Sequence, residues 1–102
     1  MIHVVASIAV AGGKTDEFLA AFRALVPQVL AEDGCNEYGP TLDVAANLPD
    51  QPDPRDGVVT VLEKWESLDA LHAHLQAPHM DAFRDQVQDI VLNVEIRVFE
   101  PA

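Results

Sequence analysis

The sequence is poor in basic residues. Six Lys and Arg stand against 17 Asp and Glu, a formal net charge of −11 over 102 residues. A surface this acidic repels phosphate backbones and anionic lipid headgroups, so neither nucleic acid nor membrane is expected as a partner. It fits a soluble cytoplasmic protein. Cysteine is almost missing. Cys35 stands alone, so no internal disulfide can form, as suits a reducing compartment. No basic neighbour favours its thiolate, and it reads as an inert, buried thiol. No apolar run is long enough to span a bilayer; the apolar start MIHVVASIAV has no basic leader and reads as a strand. No G-x-G-x-x-G, P-loop or G-x-S-x-G occurs, so a nucleotide cofactor has no support. Metal motifs are missing too. His72 and His74 fall about 200° apart on a helix and cannot share one ion. Asp50, Asp53 and Asp56 recur every third residue, which does not match a calcium loop. No cofactor is expected.

What the sequence has is clear periodicity. Residues 2–10 alternate as a strand, with Ile2, Val4, Ala6, Ile8 and Val10 on one face. Gly12 and Gly13 turn the chain, and Thr15 suits a helix N-cap followed by Asp16 and Glu17. Phe18, Phe22, Leu25, Val26 and Val29 then mark one face of a helix, which Pro27 should kink and Gly34 should stop. Residues 35–45 alternate again, with Tyr38, Pro40, Leu42 and Val44 in one row; Pro40 points to an edge strand. An acidic, proline-rich loop spans residues 46–57. Val58–Trp65 is the third strand. Ser67 caps a helix whose buried stripe is Leu68, Leu71 and Leu75, and Pro78 opens a second helix. Residues 91–99 close the chain, with Leu92, Val94, Ile96 and Val98 in an apolar row expected under the helices. The plan is one α+β domain over residues 1–102, a ferredoxin-like βαββαβ fold with an antiparallel four-stranded sheet. The other strand faces are mixed, with Val5 and Phe99 among His3, Lys64 and Arg97. Such a face suggests a second protomer packed against it, a homodimer.

Chemistry gathers in Val58–Met80. Val59, Val61, Glu63 and Trp65 share a strand face, so Glu63 is a carboxylate in an apolar row. Burial would raise its pKa and make it a proton acceptor near neutrality; otherwise it is a structural carboxylate satisfied by hydrogen bonds. His74 lies about 60° back from Leu71 around its helix, at the margin of the apolar stripe. It is either an acid/base group or a half-buried packing residue. His79 opens the next helix, with substrate binding or capping as its alternatives. Trp65, Tyr38 and Phe83 would wall a pocket for a flat ring, or else form ordinary core.

Four pieces resemble one family. Glu32, Gly34, Cys35 and Tyr38 resemble an E-x-G-C-x-x-Y pattern. Glu63, Trp65 and Ser67 resemble E-x-W-x-S. Ala70, Leu71 and His74 resemble A-L-x-x-H, and Pro78, His79 and Phe83 resemble P-H-x-x-x-F. Together with the strand order, the chain resembles the antibiotic biosynthesis monooxygenase family, small dimeric α/β-barrel proteins. The resemblance implies a pocket between sheet and helices, and a dimer whose two sheets form a barrel. It also implies oxidation of a small quinol, phenol or anthrone by dioxygen without a cofactor. Glu63 and His74 would be catalytic; Tyr38, Trp65, His79 and Phe83 would bind substrate. Val61 and Leu71 stand where the polyketide-anthrone members carry Asn and an aromatic hydroxyl, which argues against their particular chemistry. Arg84 stands where haem-degrading members carry His. An isomerase, or a non-enzymatic ligand-binding or stress-response dimer, would use the same scaffold.

Overall fold

A computed structural model describes residues 1–102. The elements are β1 (Ile2–Val10), α1 (Thr15–Leu30), β2 (Cys35–Leu42), β3 (Val58–Trp65), α2 (Leu68–Leu75), α3 (Pro78–Val87) and β4 (Val91–Phe99). This is the βαββαβ plan, with the second helical segment broken in two. The four strands form one antiparallel sheet in the order β2-β3-β1-β4. No helix is long and apolar enough to cross a membrane.

Alternation decides which face the helices cover. Ile2, Val4, Ala6, Ile8 and Val10 are all buried, and so are Val59, Val61, Glu63 and Trp65 of β3. Register puts these rows side by side: Val4 pairs with Glu63, Ala6 with Val61 and Ile8 with Val59. Helix α1 lays Phe18, Phe22, Leu25 and Val29 onto this surface. At about 25 cal/mol per Å2 of apolar area removed from water, each such side chain contributes roughly 1.5–3 kcal/mol. Proline sets the break between α2 and α3. Ala77 is extended at φ −65°, ψ 141°, and Pro78 takes the first helical turn, where its missing N–H costs no bond.

Several expectations need correction. Lys14, not Thr15, holds the N-cap position of α1, and no side chain caps that end. Pro27 does lie inside the helix, as expected, and α1 runs on to Leu30. Strand β2 ends at Leu42 rather than residue 45. Leu68 is 50 % exposed and not part of the buried stripe of α2. The largest departure is β4. Val94, Ile96 and Val98 pair across from Ile8, Ala6 and Val4, so they face the helix side as expected. They are nevertheless about half exposed, and Leu92 is 70 % exposed. Strand β4 is the sheet edge, and the helices pack on β2, β3 and one another rather than over it.

The loop between β2 and β3 is ordered by its own bonds. Arg55 Nε and Nη2 donate to the two carboxylate oxygens of Asp43 at 2.9 and 3.0 Å, and the Arg55 backbone N–H adds a third bond at 2.9 Å. That clamp holds the half-buried Asp43 carboxyl at a pKa of about 2. Gln51 donates to the Val44 carbonyl and accepts from the Ala46 N–H.

Candidate active site

The turn after α1 assembles the site. Gly34 has φ +82°, a conformation that side chains other than glycine rarely adopt, and a Cβ there would meet Ala70 Cβ at 2.7 Å. The Glu66 N–H donates to the Gly34 carbonyl at 2.8 Å, tying this turn to the start of α2. Ser67 Oγ accepts the Ala70 N–H at 3.1 Å and fixes the α2 start as the sequence suggests. This close approach brings Glu32 over the helical histidines. One oxygen of Glu32, Oε2, lies 2.9 Å from His74 Nδ1 and 2.7 Å from His79 Nε2. A single carboxylate oxygen thus bridges two imidazoles from two helices.

His74 is fully enclosed, at 1 % exposure. Trp65 lies against it with ring centroids 4.6 Å apart, and Tyr38 meets it edge-on at 5.3 Å. Burial lowers the His74 pKa, while the bond to Glu32 pulls it up. The imidazole is therefore neutral near pH 7, and its pairing with Glu32 makes Nδ1 the protonated nitrogen. Glu63 is 7 % exposed, and its Oε1 accepts the indole N–H of Trp65 at 2.9 Å. Burial raises the Glu63 pKa to about 6; the indole bond works against the rise and the charge of Glu32 adds to it. Tyr38 stacks on Phe22 at 5.3 Å. Burial, with the charges of Glu63 and Glu32, pushes its hydroxyl well above the usual phenol range. Cys35 is raised to about 11, chiefly by burial, so it stays a thiol.

The expected site residues thus come together, with one correction. Tyr38 and Trp65 wall no open pocket. Phe22 covers Tyr38 and His74 covers Trp65, and none of the five principal cavities reaches Glu63, Trp65 or His74. Phe83 does border space, on both sides. Toward α1 it shares a groove of about 130 Å3 with His79. Toward the sheet it backs an apolar cleft of about 210 Å3 with Ile8, Phe18, Val87 and Val94, and Arg84 stands at its rim. Phe83 meets Phe22 edge-on at 5.7 Å, Phe22 stacks on Tyr38, and Tyr38 meets His74, so three rings in succession separate the cleft from His74. A dry cavity of about 150 Å3 accepts benzene, so this cleft can take a substituted ring.

Two residues of the site, Glu32 and Arg84, have roles that the sequence alone does not assign. Glu32 belongs to a recognisable motif, but its partners are 42 and 47 positions away. Arg84 is held at the cleft by donating to the Leu75 carbonyl at 2.8 Å and to Asp81 at 3.1 Å. No group of three His, Cys, Asp or Glu side chains, the Glu32–His74–His79 cluster included, is arranged to hold a metal ion.

Comparison with known proteins places this geometry. The family model described as antibiotic biosynthesis monooxygenase matches residues 1–86. The chain is 40 % identical to an Escherichia coli K12 protein named probable quinol monooxygenase YgiN, over 99 % of this chain and 98 % of that one. Among solved structures, Rv0793 from Mycobacterium tuberculosis superposes with a TM-score of 0.76 at 25 % identity, covering 99 % of this chain and 94 % of that one. A conserved protein from Methanosarcina mazei has the same fold, with a TM-score of 0.81 at 24 % identity over 99 % and 92 % of the two chains. The chain belongs to the antibiotic biosynthesis monooxygenase family.

Proposed function

We propose that this protein is a cofactor-independent monooxygenase, working as a homodimer, that oxidises a small quinol, phenol or anthrone with dioxygen. The observation that carries the reading is a buried carboxylate with its pKa raised to about 6 and a Glu-paired neutral histidine, both against Trp65. Glu63 and the Glu32–His74 pair are two proton acceptors of different strength within one apolar, aromatic box. Family membership and the similarity to a probable quinol monooxygenase support it.

The substrate ring docks in the Phe83–Val94 cleft, with its hydroxyl end toward His74. A concerted shift of Phe83, Phe22 and Tyr38 joins cleft and polar cluster, and Arg84 favours an oxyanion at the rim. Deprotonation by His74 or Glu63 gives an electron-rich anion. The anion gives one electron to dioxygen, the resulting radicals combine, and a carbon hydroperoxide forms after proton return. Loss of water from that hydroperoxide leaves one oxygen atom in the product as a carbonyl; the other departs in the water. All four electrons come from the substrate, two in forming the hydroperoxide and two as its carbon loses hydrogen in the dehydration. Trp65 fixes Glu63, Tyr38 closes the wall over His74, and His79 holds Glu32 toward solvent. Exclusion of water strengthens each electrostatic contact and protects the peroxide.

Turnover of quinols and anthrones under labelled dioxygen tests this. One labelled oxygen atom in the product and one in water is the expected result. Product of unchanged mass without oxygen use would replace the reading with an isomerase on the same residues. The self-filled packing around Trp65 favours a second reading, a ligand-binding dimer without turnover. Saturable binding of these rings with no chemistry would establish it.

A further inference from the structure

The cleft beneath α3 has one open side. Its outer rim is Val91 and Val94, and beyond Val94 the row continues through Ile96 and Val98 with no cover. The other sheet edge is open as well. There the helix-side row ends on Leu42, which shares its face with Val59. Leu42, Val44 and Leu48 are 54, 69 and 63 % exposed although the loop is clamped in place by Asp43 and Arg55. An ordered loop that holds three apolar side chains in water implies a surface that receives them.

The polarity of the strands says which surface. Four alternating strands leave edges that run in opposite directions, so β2 and β4 are antiparallel to each other. With a twofold axis along the strands, β2 of a second copy meets β4 antiparallel and the alternation is unbroken. The same operation seats the first copy's β2 on the partner's β4, so both edges close at once. In that pairing the end of one strand lies beside the start of the other. Leu42 and the loop after it therefore arrive at Val91–Val94, on the helix side. The charges of β4 do not oppose a second acidic chain, because Glu95 and Arg97 neutralise each other at 3.2 Å. Area agrees too. Nine apolar side chains around the two edges and the outer face, Leu42 to Phe99, are 41–70 % exposed. At on the order of 100 Å2 each, they match the roughly 800 Å2 per partner of a stable interface.

We propose that the cleft is completed in trans: the β2–β3 loop of a second copy, led by Leu42 and Val44 of the partner subunit, closes its Val91–Val94 side. The two cavities of the dimer are then each walled by both chains, and the loop helps set which rings fit. The claim that the cleft takes a ring rests on the functional reading above; the interface does not.

Cross-linking tests the interface first. A Leu42→Cys, Leu92→Cys variant in a Cys35→Ser background, treated with a short bismaleimide, should give a covalent dimer. A control with Leu42→Cys and Leu68→Cys should stay monomeric on a denaturing gel. A monomer in sedimentation equilibrium at tens of micromolar, or a dimer in which the control links and the first pair does not, overturns the arrangement. Binding tests the lid. The dimer should bind 1-naphthol saturably, and Val44→Ser with Leu48→Ser should weaken that binding at least about tenfold while the cross-link still forms. Undiminished binding by that variant, or no saturable binding by the native protein, overturns the lid. A dimer that links and binds but consumes no oxygen removes only the monooxygenase reading.

Discussion

Burial holds the Glu63 carboxyl at a pKa of about 6 against an ordinary value of 4.5, so its charge opposes folding above that range. The folded state binds the Glu63 proton more tightly than the unfolded chain. This contribution is fully present below about pH 4.5 and is lost as pH rises through 6. The shift corresponds to about 2 kcal/mol at pH 7 and above. Glu63→Gln keeps an acceptor for the Trp65 indole and carries no charge. It should therefore raise the melting temperature at pH 7.5 and leave it unchanged at pH 4.5, measured by calorimetry. A variant that loses stability at both pH values would show that the carboxylate is structural. His74 has the opposite sign. Its lowered pKa means that stability falls once pH drops below the ordinary value of 6.5. Glu32 joins the two helices. Glu32→Ala leaves two imidazoles without their partner and should cost about 1–3 kcal/mol in urea unfolding. Glu32→Gln, which retains one acceptor, should cost less. The Glu63 row is legible from alternation alone. The Glu32 bridge is not, because it depends on how closely two helices approach.

Helices and strands were largely legible because each carries its own period. The Ser67 cap, the Pro78 restart and the edge position of the Pro40 strand follow from single residues whose backbone limits are strict. Ser67→Ala should cost about 1 kcal/mol, read in the same urea titration. Failures came where an element's surroundings decide. The β4 row shows which side is apolar, but no local pattern says whether a helix reaches that far. Tyr38, Trp65 and Phe83 are all apolar-face aromatics; only packing reveals that Phe22 and His74 already occupy two of the three. The 46–57 loop looks unstructured from its composition, yet Asp43 and Arg55 close it across 12 positions. Arg55→Ala should speed backbone hydrogen exchange over residues 44–57 and leave β1 and β3 unchanged. Uniform exchange rates in the two proteins would show that the clamp does not order the loop.

The whole molecule carries −11 on 102 residues while leaving apolar rows on two edges and a mixed outer face. Association of two such chains sets apolar burial against charge repulsion. Salt screens the repulsion and leaves the burial, so the dimer should tighten as sodium chloride rises from 20 to 200 mM, followed by sedimentation equilibrium. Weakening over that range would mean that ion pairs hold the interface. The β4 edge borders the cleft, so a partner seated on it would link assembly to ring binding. The reaction itself tests the account most directly. Oxygen uptake should be followed with a panel of quinols and anthrones, metals chelated and flavin absent, for native protein beside Glu63→Gln and His74→Ala. Uptake by the native dimer, lost on either substitution in protein that remains folded, is the predicted result. Uptake unchanged by both substitutions, or none above the protein-free rate, would contradict it.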